Sequence, residues 1–267
     1  MNTMEFPSKT AIERQKIDER DFDREAEELL SLPLEKLRMK DNDWKKLDNI
    51  CPPSNAYIYT IQLLGDVRGK RVLDYGCGDG YLSMILARRG GLAWGFDISG
   101  QSIAVAMRRA VANGLEDKVC FDKMSAYKLR YEDEMFDLVI GLGILHHIEI
   151  DKATNEIARV LKKGGRAVFC EPLGDSPALQ ALRRIVPVKV AIHEGSQERP
   201  LTYRDIEELA KSFSQRAWKE FQLFSRVDRV VKSRKARRWL NVCDKWLLDT
   251  FPALRRYARL IAIELTK

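Results

Sequence analysis

The chain of 267 residues lacks several features that would assign it to a protein class at once. Its five cysteines are scattered and form no Cys-x-x-Cys pair, which argues against a disulfide framework or a structural zinc site. No apolar run reaches the roughly 18 residues that a membrane span needs. The charged N-terminus has no apolar core of the kind found in signal peptides. These absences favour a globular protein of the reducing cytoplasm, and no metal site is expected.

Positive charge is distributed unevenly along the chain. The formal net charge is +7, yet residues 1–50 carry ten Lys and Arg against thirteen Asp and Glu. Residues 226–259 carry eleven Lys and Arg against three Asp. The excess positive charge therefore lies in the C-terminal part of the chain.

Short apolar runs alternate with stretches of helical period from residue 70 onward. The runs are RVLDYG (71–76), LAWGFDI (92–98), KVCFDKM (118–124), FDLVIGLG (136–143) and RAVFCEP (166–172), and WKEFQLF (218–224) and ARLIAIEL (258–265) follow later. Helices are expected between them, at 81–89, 101–113 and 152–163, the last ending in Lys-Lys-Gly-Gly. The alternation predicts a doubly wound α/β fold with a mostly parallel, seven-stranded sheet.

Helices are also predicted outside this alternation. Residues 8–30 have a helical period and many charge pairs at i,i+4 spacing, and a second helix is expected at about 55–64. Another is expected to begin at Thr202, with Asp205 placed for a capping box.

The stretch VLDYGCGDG (72–80) reads as a strand that runs into a glycine-rich loop. Gly76, Gly78 and Gly80 are spaced GxGxG, one residue shorter than the GxGxxG of dinucleotide-binding loops. Asp74 lies two residues before the first glycine, where a carboxylate would repel a phosphate and suit a cationic ligand. Asp97 ends the next strand, about 20 residues on, where an acid accepts hydrogen bonds from ribose hydroxyls.

The segments DYGCGDG, FDIS and FDLVIGLGILHHI together resemble motifs of the class I S-adenosylmethionine-dependent methyltransferases, in particular the type 11-like small-molecule enzymes. S-adenosylmethionine carries an ammonium and a sulfonium and has no phosphate, which agrees with the acid before the loop. The resemblance implies a cofactor-binding core at 55–225 that is completed by the last strand at 258–267. A helical extension at 1–54 and a basic helical insertion at 226–257 would be additions to that core.

The resemblance implies a set of contacts around the methionine part of the cofactor. Asp74 would hold the ammonium through water, and the backbone at Gly76, Cys77 and Gly78 would approach the ligand. Cys77 is expected to be a small packing residue and not a nucleophile. Gly141 would end the fourth strand and bring its carbonyl close to the ammonium, unless this glycine serves only close packing of the strands.

A second set of contacts would surround the nucleoside part. Asp97 would bind the ribose, and Ile98 would pack on the adenine. Gln101, one turn into the next helix, is a candidate for a further polar contact. After the third strand the family usually shows an acid that meets the adenine amine. This chain has Ser125 and Ala126 there, so Ser125 and backbone groups would replace the acid.

Two of the three histidines lie together after the fourth strand, in LHHIE. His147 or His146 could act as a general base, with Glu171 at the end of the fifth strand as its orienting partner. The alternative is that these residues pack under the loop and that the enzyme acts by positioning alone.

Three regions are candidates for the acceptor pocket. One is the N-terminal part with Trp44, Tyr57 and Tyr59, where ordinary packing of the tyrosines is the alternative. Another is the stretch that follows the fifth strand, at 171–201. The third is the insertion at 226–257.

The insertion at 226–257 is expected to be helical, with apolar residues on one face and basic residues in the preceding turns. The apolar residues are Trp239, Leu240, Cys243, Trp246 and Leu247, and the basic ones are Lys232, Arg234, Lys235, Arg237 and Arg238. Three explanations stay open. The face packs on the domain as part of an acceptor lid, it lies on an anionic membrane surface, or it makes a homodimer or nucleic-acid contact.

The sequence thus predicts methyl transfer to oxygen or nitrogen of a small, hydrophobic metabolite. A quinone- or lipid-like acceptor at a membrane surface is the closest alternative. A further alternative is a cofactor-binding protein without catalysis, because a fold does not fix the chemistry. A nucleic-acid substrate is not expected, since a charge run alone is weak support for one.

Overall fold

A computed structural model describes residues 8–40, 56–174, 199–223 and 233–267. These residues form a seven-stranded sheet in the order β3-β2-β1-β4-β5-β7-β6. Its strands are β1 Arg71–Tyr75, β2 Leu92–Asp97, β3 Val119–Lys123, β4 Phe136–Leu142, β5 Leu161–Pro172, β6 Gln215–Phe221 and β7 Leu260–Thr266. In this described sheet, β7 runs antiparallel to the other six strands, which are parallel to one another. The predicted fold class is confirmed.

Helices cover the sheet and flank its edges. They are α1 Lys9–Leu30, α2 Ala56–Leu63, α3 Tyr81–Arg88, α4 Gly100–Asn113, α5 Ile150–Val160, α6 Tyr203–Ala210 and α7 Arg234–Thr250. Short 3-10 helices lie at Leu34–Leu37, Glu116–Lys118, Leu145–His147 and Pro252–Tyr257. The start of α6 is as predicted, because Thr202 and Asp205 form a capping box. No helix in the described ranges is both long and apolar enough to cross a bilayer.

The core lies on both faces of the sheet. Val72 and Leu73 are both fully buried, but they point to opposite faces and belong to different hydrophobic clusters. Leu73 packs in the cluster that contains Ile157 of α5, and Val72 in the cluster that contains Met84 of α3. Because both faces of the sheet are buried, a ligand can reach it most readily where the strands end.

The strand order reverses at β1, which lies between β2 and β4. We call the edge at which β1, β2, β4 and β5 end the carboxyl edge. In open parallel sheets, ligands bind outside this edge at the point of reversal. The topology therefore places the candidate site at the ends of β1 and its neighbours.

Three predicted boundaries were wrong. α5 ends at Val160, before Lys-Lys-Gly-Gly, because Leu161 is extended and pairs with Phe136, and the chain then turns at Gly164 with φ +73°. β4 ends at Leu142, one residue after Gly141. β6 spans 215–221 and not 218–224, since its register follows β7, which pairs it from Gln215 to Phe221.

Some predicted features lie outside the described residues. These are Trp44, the break at Cys51-Pro52-Pro53, most of the stretch after β5 (175–198), residue 224 of the predicted strand 218–224 and the first part of the predicted insertion (226–232).

Candidate active site

The glycine-rich loop follows β1 and leads into α3. Gly76, Gly78 and Gly80 have φ values of +74°, +49° and +75°, a region that side chains other than glycine rarely adopt. A Cβ on Gly76 would lie 2.8 Å from the side chain of Ile144, whereas one on Gly78 would meet no atom within 4 Å. The loop therefore packs against the segment after β4 at Gly76 and borders open space at Gly78.

Asp97 ties the end of β2 to this loop. Its Oδ2 accepts a hydrogen bond from the backbone N–H of Gly78 at 2.9 Å, and its Oδ1 accepts one from Ser99 at 2.9 Å. Burial raises the pKa of Asp97, and the backbone hydrogen bonds oppose that rise. The residue as a whole is partly exposed, and its hydrogen bond to Gly78 places its carboxylate beside the loop.

Asp74 lies beneath the loop and is almost fully buried. The hydroxyl of Ser83 on α3 donates to its Oδ2 at 2.6 Å. Burial raises the pKa of Asp74 to about 7; the Ser83 hydrogen bond opposes the rise, and the negative charge of Asp97 adds to it. Asp74 therefore gains or loses its proton near neutral pH. Its predicted contact with an ammonium stays a prediction.

Cys77 is a packing residue in the loop. The Cys77 side chain is buried, and a Cβ added to Gly95 would lie 2.8 Å from the Cβ of Cys77. Burial raises the pKa of the Cys77 thiol well above its usual range, which keeps it protonated and unreactive. This environment agrees with the packing role predicted from the sequence.

The loop after β3 lies beside Asp97. The N–H of Met124 donates to the carbonyl of Asp97 at 3.0 Å. Ser125 is partly exposed, and Ala126 is buried with its carbonyl accepting from the hydroxyl of Tyr75 at 2.8 Å. Ser125 thus follows directly after the residue that is hydrogen-bonded to Asp97, and its predicted contact with the adenine stays a prediction.

Helix α1 lies across the carboxyl edge and contacts the same loops. The side-chain amide of Gln15 donates to Ser125 Oγ at 2.9 Å. Asp18 Oδ2 lies 3.4 Å from Nδ1 of the buried His147, and Phe22 packs edge-to-face on that imidazole. The helix of the predicted N-terminal extension is therefore bound to the candidate site by polar side chains.

Asp23 extends this contact to the end of β2. Its Oδ1 accepts from the hydroxyl of Ser99 at 2.6 Å and from the backbone N–H of Gln101 at 3.1 Å. The Gln101 side chain is exposed, and Ile98 is partly exposed. Asp23 thus fixes the turn that carries Asp97 and Ile98.

Glu171 is fully buried at the end of β5 and holds the segment after β4. Its Oε1 accepts from the backbone N–H groups of Ile144 and Leu145, both at 2.9 Å. Its Oε2 lies 2.8 Å from Nδ1 of His146, whose imidazole lies 4.2 Å from that of His147, centroid to centroid. The structure pairs Glu171 with His146, and it pairs His147 with Asp18.

The remaining predicted residues lie as follows. A Cβ on Gly141 would come within 2.7 Å of Phe169 and 2.8 Å of Ile144, so close packing alone requires this glycine. The ring of Tyr59 packs on that of Phe221, with the ring centroids 5.3 Å apart, and Tyr57 is 41% exposed. The structure therefore gives Tyr59 the packing role that was its alternative.

Several residues that shape the site were not predicted from the sequence. Ser83, the partner of Asp74, has no signal beyond its position in the first turn of α3. Gln15, Asp18, Phe22 and Asp23 recur at helical spacing on one face of α1, and this pattern could have identified the face that meets the site.

Comparison with known proteins agrees with this geometry. A family model described as "Methyltransferase domain" matches residues 73–169, which include the glycine loop, Asp97 and the two histidines. The matched residues run from β1 to the middle of β5.

Two curated relatives are similar over the same part of the chain. Methyltransferase GfsG of Streptomyces halstedii is 38% identical over 105 residues, which cover 39% of this chain and 38% of that protein. A ubiquinone biosynthesis O-methyltransferase of Alkalilimnicola ehrlichii is 36% identical over 113 residues, which cover 42% of this chain and 45% of that protein. The similarity thus spans less than half the length of these relatives.

A solved structure shows the same fold at low identity. Geranyl diphosphate C-methyltransferase of Streptomyces coelicolor A3(2), in complex with Mg²⁺, geranyl diphosphate and S-adenosyl-L-homocysteine, aligns with a TM-score of 0.58 and 15% identity. The alignment covers 78% of this chain and 76% of that one.

Proposed function

This chain carries a class I methyltransferase domain, and we propose that it transfers the methyl group of S-adenosylmethionine to a hydroxyl of a small, hydrophobic metabolite. The observation that carries the proposal is the pairing of His146 with the buried Glu171 beside the glycine loop. Oxygen is favoured over nitrogen because a hydroxyl gains most from a base.

The residues around the loop fit S-adenosylmethionine. Gly78 borders open space, Asp97 lies beside it at the end of β2 and would meet the ribose hydroxyls, and Ser125 follows the residue bonded to Asp97 and would meet the adenine. The nearby Asp74, which gives up its proton near neutral pH, supplies negative charge for the ammonium. When bound, S-adenosylmethionine supplies an activated methyl group on a positively charged sulfur.

His146 would take the proton of the acceptor hydroxyl at Nε2. Its Nδ1 faces the Glu171 carboxylate, which fixes the tautomer with the proton on Nδ1 and stabilises the imidazolium that forms. Glu171 is itself held by two backbone N–H groups, so the imidazole is oriented by a rigid partner. The proton then passes from His146 to water after the product leaves.

A lipid- or quinone-like acceptor is the second candidate. The A. ehrlichii relative is named as a ubiquinone biosynthesis O-methyltransferase, and α7 exposes two tryptophans near the carboxyl edge.

We propose a cytoplasmic location for the chain, which its free cysteines at 77, 120, 170 and 243 support.

The experiment has two stages. Calorimetry with S-adenosylmethionine and S-adenosylhomocysteine first tests cofactor binding. Release of S-adenosylhomocysteine is then measured with matched pairs of hydroxylated and aminated aromatic acceptors, including short-chain hydroquinones. We expect the hydroxylated members to turn over, and His146→Ala to lower turnover by about 10²–10⁴-fold without changing cofactor affinity.

His147→Ala is the matched control, because this neighbouring imidazole faces Asp18 of α1 and not Glu171. It should retain most of the turnover. Cofactor binding without turnover of any acceptor would favour the non-catalytic alternative. Full activity of His146→Ala across neutral pH would show that the enzyme acts by positioning alone.

A further inference from the structure

Large apolar side chains are exposed along the outward side of α7. Trp239 is 67% exposed, Trp246 59% and Val242 54%, and Phe251, just after the helix, is 47% exposed. We call these four residues the α7 apolar face. Residues 239, 242 and 246 follow the helical period, so they lie on one side of α7. Clustered exposed apolar side chains of this kind mark interaction sites.

The opposite side of α7 is fixed to the domain. Leu248 is buried in the main core cluster, and Leu247 packs against that cluster. Asp244 is buried, and its Oδ2 accepts from the backbone N–H of Leu223 at 2.9 Å. This anchoring corrects the predicted apolar face, since Leu247 points inward while Trp239 and Trp246 point outward. The outward direction is therefore set by the fold.

Exposed basic residues precede and follow the α7 apolar face in the chain. Lys235 is exposed one turn before Trp239 on the same side of the helix, and Arg256 is exposed on the 3-10 helix that follows. Of the acids in the described segment 233–259, Asp244 is buried and Asp249 pairs with Lys245. Exposed positive charge next to apolar side chains complements an anionic, apolar partner.

The α7 apolar face belongs to the carboxyl edge. Leu260, which begins β7, pairs with Pro172 at the end of β5 and with Phe221 at the end of β6. The 3-10 helix Pro252–Tyr257 comes directly before that point, and Asp244 is bonded just after β6. The apolar face is thus on the part of the molecule where β5 presents Glu171.

We propose that the α7 apolar face docks on the surface of an anionic lipid bilayer. Tryptophan prefers the boundary between headgroups and acyl chains, and flanking Lys and Arg are attracted to anionic headgroups. A second copy of the chain suits this face less well, because a twofold interface would set its basic residues against themselves. A single-stranded nucleic acid also suits it less well, since Val242 between the two indoles offers no ring for a base to stack on.

Docking on a bilayer does not require catalysis, but it would determine from which side an acceptor reaches the site. If the proposed methyl transfer holds, docking turns the His146–Glu171 end of the site toward the bilayer. A lipid-like acceptor would then reach the site from the membrane. Failure of methyl transfer to soluble acceptors would leave the docking proposal intact.

The test is flotation of the full chain with two kinds of vesicle, phosphatidylcholine alone and phosphatidylcholine with phosphatidylglycerol. We expect binding to the anionic vesicles and at least about tenfold weaker binding for Trp239→Ser/Trp246→Ser, because two apolar side chains leave the bilayer. Lys235→Gln/Arg256→Gln should weaken binding by about fivefold for each charge removed.

Matched controls replace exposed residues elsewhere on the molecule. Met107→Ser/Val111→Ser on α4 removes two apolar side chains that are 49% and 54% exposed, and Lys118→Gln/Lys128→Gln removes two exposed charges. Both controls should float like the unchanged chain. Unaltered thermal midpoints and S-adenosylhomocysteine affinities would show that all variants are folded.

Several results would overturn the proposal. One is that the unchanged chain and the tryptophan variant float equally well. Another is that neither of them floats with the anionic vesicles. Sedimentation could also show a concentration-dependent dimer that the tryptophan variant abolishes, which would assign the face to a second copy. Loss of RNA binding in that variant, with flotation unchanged, would assign it to nucleic acid.

Discussion

The two ends of the carboxyl edge are built differently. At the β1–β2 end, helix α1 lies over the loops and is held by polar side chains such as Asp23 and Asp18. At the end toward β5, β7 and β6, helix α7 is held by buried leucines and turns apolar side chains outward. The β1–β2 end is covered by α1 of the same chain. The α7 end exposes apolar side chains, which we propose contact a lipid bilayer.

If both proposals hold, this difference would assign separate tasks to the two ends. A charged, hydrophilic cofactor needs a pocket lined with fixed polar groups, which the end under α1 would supply. A hydrophobic acceptor needs an apolar approach, which the α7 end would supply. The pair of His146 and Glu171 lies between them, where the two substrates would meet.

The largest effect is expected from Glu171→Gln, which acts on the junction between the two ends. The amide oxygen can still accept from Ile144 and Leu145, but the amide N–H₂ would face Nδ1 of His146. That donor would force the proton of the imidazole onto Nε2 and remove the base. Turnover should fall by about 10²–10⁴-fold at unchanged cofactor affinity, as steady-state kinetics and calorimetry would show. Equal losses in affinity and turnover would instead assign Glu171 a structural role.

A smaller effect is expected from Asp97→Ala, which tests the β1–β2 end alone. The substitution removes the hydrogen bonds to Gly78 and Ser99 and those predicted to the ribose. S-adenosylhomocysteine should bind about 30–100-fold more weakly by calorimetry, since hydrogen bonds to a charged group are worth about 1.5–3 kcal/mol. Asp122→Ala on β3, whose carboxylate contacts Tyr131, is the control and should bind normally. Unchanged affinity of Asp97→Ala would contradict the ribose assignment.

The pH dependence of cofactor binding is a further test of the β1–β2 end. The pKa of Asp74 is raised to about 7 by burial, so the carboxyl is largely neutral below that pH and ionised above it. A cation binds the ionised form better. Affinity for S-adenosylhomocysteine should therefore rise between pH 5.5 and 7.5, by about three- to tenfold, and then level off. Isothermal titrations across this range should show a flatter profile for Asp74→Asn. The same slope in that variant would mean that another group titrates.

The smallest effect is expected from Asp23→Ala, which loosens α1. The variant loses the hydrogen bonds from Ser99 and Gln101, at a cost of about 1 kcal/mol in the free energy of unfolding. Hydrogen exchange should become faster in α1 while β1 and β4 stay protected. Glu27→Ala, an exposed acid on the same helix, is the matched control for helix propensity. Equal exchange in both variants would show that Asp23 does not hold α1 in place.

The sequence was sufficient for the sheet and the glycine loop because both depend on local patterns. Alternating apolar runs, the GxGxG spacing and an acid at the end of β2 are readable within about 30 residues. The ends of helices and strands were less predictable where strand pairing overrides the local helix propensity. Lys162 and Lys163 look like a helix end, but the pairing of Leu161 with Phe136 draws that segment into β5.

The sequence was not sufficient for contacts between distant segments. Asp23 meets Ser99, and His146 meets Glu171, only because the sheet brings their segments to one edge. The orientation of α7 shows the same limit. Both of its sides carry apolar residues, so periodicity alone could not decide whether Leu247 or Trp246 faces the core.

The position of β7 has a consequence for the order in which the molecule assembles. Within the described sheet, β6 pairs only with β7, which comes later in the chain, after all of α7. As the chain is synthesised, β6 has no native partner strand until β7 emerges and inserts between it and β5. Shortening the chain ahead of Leu260 would thus leave two open strand edges, and such edges invite aggregation.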